Sequence, residues 1–148
     1  MAQLQEDGSP FQLGVTGAVR GEGFEIVGRI QLEYDQGFWN EWYLRYLDNH
    51  YGWLGEGQGQ LVVTVQRPGA KVPRWDSARV GQDIALGPDS FQIREMSRVK
   101  CVSAAGELPF NIAVGYDANV MDLAGTGRRS ATIDFSETPA LVFIGERV

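Results

Sequence analysis

A regular alternation of apolar and polar side chains between residues 24 and 34 constrains the fold more than any other feature of the chain. The apolar positions are Phe24, Ile26, Ile30, Leu32 and Tyr34, and the polar positions between them are Glu25, Arg29, Gln31 and Glu33. Side chains of a β-strand alternate between two faces, so this pattern predicts a half-buried strand with its apolar members facing inward. Gly28 takes an inward position, which predicts a β-bulge or a close backbone approach.

Other segments also indicate strands. Leu61–Val65 and Ala140–Ile144 are short β-branched or aromatic runs between turn residues, and Ala131–Phe135 alternates again. Glycines occur in turn-like pairs at the spacing typical of many short strands, and no long helical segment with caps is present. The sequence therefore predicts an all-β fold.

The chain also resembles itself. Residues 13–26 align with residues 80–93 at a constant offset of 67, and residues 59–65 resemble residues 139–145 at an offset of 80. This predicts two pseudo-repeated, glycine-rich β-meander halves that form small barrels or share one β-sandwich or barrel core. The predicted divisions are a flexible N-terminus (1–10), a first β half (11–66), a connection (67–76) and a second β half (77–148), with the halves forming one compact unit.

Composition excludes several classes of function. A single cysteine, Cys101, and a single histidine, His50, exclude a disulfide framework and the usual Cys/His zinc sites. A net charge of −6 disfavours duplex nucleic acid and anionic membrane surfaces as partners. No apolar run is long enough to span a bilayer, and the polar, acidic N-terminus lacks the pattern of a signal peptide. We therefore expect a cytoplasmic protein without direct membrane insertion.

Aromatic side chains are concentrated between Phe38 and Leu54, where seven of the sixteen aromatic residues lie. Four of them have helical spacing, but the aromatic enrichment and the flanking turn residues favour strands, with a helix as the alternative. The predicted hairpin has one strand near Trp39–Leu47, a turn at residues 48–50 and a second strand that begins at Tyr51.

This segment carries a resemblance to a bacterial family, the family of the domain of unknown function 4178. The matching motifs follow in the family's order and are NEWYL (Asn40–Leu44), GWL (Gly52–Leu54), GELPF (residues 106–110), the step at Asp122, Leu123 and Gly125, and ATIDFS (Ala131–Ser136). The resemblance extends from about Gln12 to Glu146. One departure is Asn49-His50-Tyr51, where the family more often has a glycine-containing turn.

The resemblance implies a context rather than a reaction. Similar domains are often encoded near membrane-stress proteins of the phage-shock type, small membrane proteins and polyamine-synthase-like enzymes. This implies an accessory or adaptor role, linked to membrane-stress or polyamine-related systems, and it identifies no catalytic residue.

The aromatic residues have two interpretations. In the first, Trp42, Leu44, Tyr46, Tyr51 and Trp53 fill the core of the first half. In the second, some rings stay exposed, with Trp39 and Tyr43 on the opposite face of the strand, and they bind a protein partner. Tyr and Trp dominate the energetically important contacts of protein interfaces. The residues predicted to form this binding surface are Trp39, Trp42, Tyr43, Tyr51 and Trp53.

Acidic residues near these rings suggest an alternative ligand. Carboxylates beside tryptophans attract organic cations through charge and cation–π contacts. Glu41, Trp42, Trp53 and Glu56 could therefore bind a polyamine-like cation, although exposed acids more commonly keep a surface soluble. An enzyme would draw on Glu41, His50 and Glu107, but no nucleophile–base pair, metal constellation or cofactor motif supports one. The sequence favours a non-catalytic binding or adaptor module over a small-ligand sensor.

Overall fold

The computed structural model describes residues 9–35, 37–109 and 115–148. Ten antiparallel strands account for most of them, and a single 3₁₀ turn, Trp75–Ser77, is the only helical element in these ranges. The strands are β1 (Thr16–Val19), β2 (Glu22–Tyr34), β3 (Gly37–Tyr46), β4 (Tyr51–Gly57), β5 (Gln60–Gln66), β6 (Asp83–Leu86), β7 (Asp89–Gly106), β8 (Asp117–Ala124), β9 (Arg129–Asp134) and β10 (Leu141–Arg147). The all-β prediction is confirmed.

The chain divides into two compact units. Unit 1 consists of Met1–Leu61 and Lys100–Tyr116, and unit 2 consists of Val62–Val99 and Asp117–Val148. The long strand β7 thus begins in unit 2 and ends in unit 1.

In unit 1, β2 is the central strand. One edge of β2 pairs with β3, and β3 pairs in turn with β4. The opposite edge pairs first with β1, opposite Glu22–Glu25, and then with the end of β7, opposite Gly28–Glu33. The predicted bulge is present, because the register between β2 and β3 shifts between Ile26 and Gly28.

The close approach predicted at Gly28 is also present. A Cβ atom on Gly28 would lie 1.9 Å from the backbone oxygen of Glu107, and the amide of Glu107 donates a hydrogen bond to the oxygen of Val27 (2.7 Å). Only glycine leaves room for the chain to pass this close to the bulge. This close contact holds Glu107, the residue after β7, against β2.

In unit 2, β10 lies between β5 and β9, β9 pairs with β8, and β6 pairs with the start of β7. Alternate residues of these strands form an apolar core cluster. Its buried members are Leu86, Phe91, Ile93, Met121, Leu123, Ala131, Ile133, Val142 and Ile144.

The segments aligned at an offset of 67 have matching local geometry. The amide of Gly14 donates to the oxygen of Ile26 (2.8 Å), and the amide of Gly81 donates to the oxygen of Ile93 (2.8 Å). The β1–β2 pair Thr16↔Glu25 likewise corresponds to the β6–β7 pair Asp83↔Gln92. These matches support the proposed relation between the two segments, whereas a repeat of the complete halves stays a prediction.

Candidate binding site

The β3–β4 hairpin brings most of the predicted site residues together. It forms as predicted: β3 ends at Tyr46, β4 begins at Tyr51, and Asn49 adopts the left-handed backbone conformation (φ +67°) that glycine often provides in such turns. The amide of Asn49 donates to the oxygen of Tyr46 (2.9 Å) and closes the turn.

The register of the hairpin sorts its side chains onto two faces. Trp42 pairs with Leu54, and Tyr43 pairs with Trp53. Trp42, Leu44, Leu54 and Glu56 therefore share one face, which we call the core face. Tyr51 and Trp53 lie on the other face. Trp53 is buried there, as predicted, whereas Tyr51 is exposed, and its predicted place in the core is wrong. Side-chain alternation is visible within each strand, but the pairing register between strands is not.

We call the residues of the other face, Trp39, Tyr43, Tyr51 and Trp53, the aromatic row. The ring of Tyr43 stacks on that of Tyr51, with centroids 4.9 Å apart and 13° between the planes, and lies 4.8 Å from that of Trp53. Tyr43 and Trp53 are buried (8% and 7% exposed), whereas Tyr51 is 40% exposed. The expectation that Tyr43 is exposed is therefore wrong, because the rings of Tyr51 and Trp53 pack against it.

The ring of Trp39 packs against two glycines of β4. A Cβ atom would come within 2.8 Å of the Trp39 ring at Gly55 and within 2.0 Å at Gly57. The indole Nε1 donates a hydrogen bond to Glu41 Oε1 (2.7 Å), and Trp39 is half-buried. The glycines thus let the ring lie flat against the backbone, while Glu41 fixes its orientation.

Charged residues border the aromatic row. Arg45 donates to Glu25 (2.7 Å), and the exposed Glu107 follows the crossing at Gly28. Burial raises the pKa of Tyr43, and the neighbouring Tyr51 and Glu107 raise it further. The Tyr43 hydroxyl, which is protonated at neutral pH even at the ordinary pKa, is thereby still harder to ionise.

The core face contains a polar network that sequence reasoning missed. Arg29 donates to Asn40 Oδ1 from both Nε (3.2 Å) and Nη2 (2.8 Å), and its guanidinium lies 4.7 Å from the centre of the Trp42 ring. Asn40 Nδ2 (3.2 Å) and Trp42 Nε1 (3.1 Å) donate to Glu56 Oε1. Arg29 and Asn40 are each 4% exposed. We call Arg29, Asn40, Trp42 and Glu56 the polar network.

The bulge explains why Arg29 was assigned to the wrong face. Simple alternation places Arg29 opposite Ile26, on the polar side of β2. The extra residue at Val27 shifts the alternation by one position, so Ile26 pairs with Leu44 and Arg29 with Trp42, both on the core face. Gly28 was the available signal for this shift.

The four residues predicted to bind an organic cation do not form one pocket. Trp42 and Glu56 lie on the core face, whereas Glu41 and Trp53 lie on the opposite face. The guanidinium of Arg29 already lies over the Trp42 ring, where a bound cation would make its cation–π contact.

The candidate catalytic residues do not converge either. The ring of His50 stacks on that of Tyr46 (4.2 Å), and Tyr46 lies five positions after Glu41 in the same strand. At about 3.3 Å per residue, Glu41 and His50 lie roughly 15 Å apart. Cys101 is buried, which raises its thiol pKa and makes it a poor nucleophile.

One group in the described part of the chain could supply several metal ligands. Ligand atoms of Glu22, Asp48 and His50 lie within 4.8 Å of one another, and all three residues are exposed. The backbone and ring of His50 hydrogen-bond to Asp48 and lower the pKa of its carboxyl. These contacts account for the geometry without an ion.

Residues 12–148 match the family described as domain of unknown function (DUF4178), and the chain belongs to this family. No curated protein and no solved structure matches it. Within the described residues, none of the helical structure has the length and apolar character needed to cross a membrane.

Proposed function

We propose that the protein is a non-catalytic, cytoplasmic binding module that takes a protein partner on the aromatic row. The observation that carries the proposal is a contrast between two hairpins. Tyr43 and Trp53 form a cross-strand pair in the β3–β4 hairpin, whereas the corresponding pair of the β8–β9 hairpin is Asp122 and Thr132, joined by a hydrogen bond (3.1 Å). A hairpin of this architecture therefore does not need aromatic residues at these positions.

The row has the properties of a prepared interface. Tyr43 is held between Tyr51 and Trp53, and Trp39 is fixed by Glu41, so binding would order few additional side chains. Tyr51 offers the accessible end of the stack. Rigid Tyr and Trp side chains are the commonest residues at which truncation strongly weakens a protein interface.

The border of the row indicates the chemistry of the partner. Its charged residues are mostly acidic, namely Glu25, Glu41 and Glu107, and the cation Arg45 is paired with Glu25. The exposed Glu107, which lies near Arg45 and Tyr43, adds negative charge that would attract a positive side chain, and such a side chain could also lie against the exposed ring of Tyr51. We propose a partner surface that contributes Lys or Arg.

The proposal is tested with two substitutions of matched exposure on the same hairpin. Tyr51 is 40% exposed and belongs to the row, whereas Phe38 is 41% exposed and belongs, by alternation, to the opposite face. Wild-type protein, Tyr51→Ser and Phe38→Ser are immobilised, exposed to extract of the native host, and the captured partner is then titrated against each. We expect Tyr51→Ser to weaken binding about thirtyfold, since truncation at such residues costs about 2 kcal/mol.

Phe38→Ser should bind the partner like the wild type. Equal binding by all three proteins, or an equal loss in both variants, would contradict a site on the aromatic row.

A further inference from the structure

A short N-terminal segment, Ser9–Phe11, which we call the strap, contacts the polar network. The Ser9 hydroxyl lies 2.8 Å from Glu56 Oε1 and 2.9 Å from Oε2, and it donates its one proton to this carboxylate. The amide of Phe11 donates to Ser9 Oγ (3.0 Å), and the Phe11 ring meets Trp42 edge-on with centroids 6.2 Å apart. The strap belongs to no strand.

The carboxylate that receives the strap is positioned by other residues. Asn40 and Trp42, both on β3, donate to Glu56 Oε1, and Asn40 is held in turn by Arg29. The acceptor and the adjoining ring are therefore fixed by strands, independently of Ser9. Such a site recognises a donor group followed by an apolar group without rearranging.

The strap lies outside the part of the chain that matches the family, whereas the polar network lies within it. The family match begins at residue 12, so it includes the whole polar network but ends just short of the strap. The domain thus carries a prepared acceptor site that is filled, in this chain, from a segment outside the matched residues.

We propose that the polar network is a peptide-binding site and that the strap is its displaceable internal occupant. The site takes an extended segment of another protein that has a side-chain hydroxyl and, two residues later, an aromatic ring. The hydroxyl donates to Glu56, and the ring packs against Trp42, as Ser9 and Phe11 do. This inference does not rest on the proposed function, because the site lies on the core face and not on the aromatic row.

The chemistry of the site also sets its selectivity. Glu56 already accepts bonds from Asn40 and Trp42 and needs a further donor, so a hydroxyl fits. A phosphorylated hydroxyl would bring negative charge and acceptor oxygens against the carboxylate and would be rejected. The site therefore distinguishes an unmodified segment from its phosphorylated form.

The test uses the full-length chain and a fluorescein-labelled peptide, SPFQLG, which has the sequence of residues 9–14. In the wild type the strap competes at the high effective concentration of a tethered ligand, roughly millimolar for a short link. Ser9→Ala combined with Phe11→Ala weakens this competitor. We expect the double variant to bind the peptide at least about tenfold more tightly than the wild type, as measured by fluorescence anisotropy.

Four controls define the site. Adding Glu56→Gln to the double variant should remove the gain, and the phosphoserine peptide should not bind. Ser9→Thr, which keeps the hydroxyl, should behave like the wild type. Tyr51→Ser should leave peptide binding unchanged, so this test and that of the aromatic row fail separately.

Equal peptide affinity in the double variant and the wild type would overturn the proposal. Loss of the folded state in the double variant, seen as a lost cooperative thermal transition, would overturn it as well, because the strap would then be an integral part of the core.

Discussion

The β3–β4 hairpin of unit 1 and the β8–β9 hairpin of unit 2 have the same pairing pattern but different chemistry. On the core side, Trp42↔Leu54 corresponds to Met121↔Ile133, and both pairs include fully buried apolar side chains. On the other side, an aromatic pair in unit 1 corresponds to a hydrogen-bonded Asp–Thr pair in unit 2. The core sides of both hairpins thus carry the apolar pairs that a packed core needs. On the opposite side, unit 2 has a polar pair where unit 1 has an aromatic pair.

The cores of the two units also differ in the number of polar residues that they bury. Unit 2 buries one polar residue in the described part of the chain, Thr64. Unit 1 buries four polar or charged residues in the described part of the chain, namely Arg29, Gln31, Asn40 and Ser103. Burial of polar groups costs free energy unless hydrogen bonds compensate, so an apolar core is the simpler way to stabilise a small β unit. We interpret the polar network of unit 1 as a functional feature for this reason.

The largest expected effect tests whether the two core sides are equivalent. Trp42→Ala should lower the free energy of unfolding by about 3–5 kcal/mol, and Met121→Ala by about 2–5 kcal/mol, because each leaves a cavity in a packed core. Urea unfolding measures both. A loss below about 1 kcal/mol for Trp42→Ala, beside a full loss for Met121→Ala, would show that unit 1 does not depend on this ring.

An intermediate effect is expected on the opposite sides of the hairpins. A double-mutant cycle with Tyr43→Ala and Tyr51→Ala should give a coupling energy of about 1 kcal/mol, as stacked aromatic pairs do. The cycle with Asp122→Ala and Thr132→Ala should give roughly 0.3 kcal/mol, since that hydrogen bond is exposed. Equal couplings would remove the energetic distinction between the two surfaces.

The smallest effect concerns the two turns. Hydrogen bonds from His50 lower the pKa of Asp48 in the folded state, whereas residues 125–128 of the β8–β9 turn contain no carboxylate. Because the folded pKa lies below the unfolded value of about 3.9, Asp48 contributes stability above that pH and loses it as the pH falls through the folded pKa. A carboxyl-carbon NMR titration should find the Asp48 midpoint below 3.9. A midpoint at or above 3.9 would contradict the hydrogen bonds at this turn.

The strands could be predicted because their signals are local. Alternation identified β2, and turn residues around short apolar runs identified β5 and β10. The turn after Tyr46 followed from Asp48 and Asn49, whose side chains favour turns. The bulge followed from Gly28.

The faces could not be predicted with the same success. Tyr51 and Trp53 were assigned to the same face as Trp42, and Tyr51 to the core, because the register of β4 against β3 depends on pairing between strands. Arg29 was assigned to the solvent side because one extra residue in the bulge reverses the alternation after it. Asn40 was missed because its role depends on Arg29 and Glu56, which lie on neighbouring strands.

The sequence by itself determined which segments are strands and where the aromatic side chains concentrate, since both depend on neighbours along the chain. Only the tertiary structure decided which rings stack, which face holds the polar network and what lies against Glu56. The contact between Ser9 and Glu56 joins residues 47 positions apart. Contacts over such separations form only when strand register and bulge position are fixed together, and no local pattern encodes that combination.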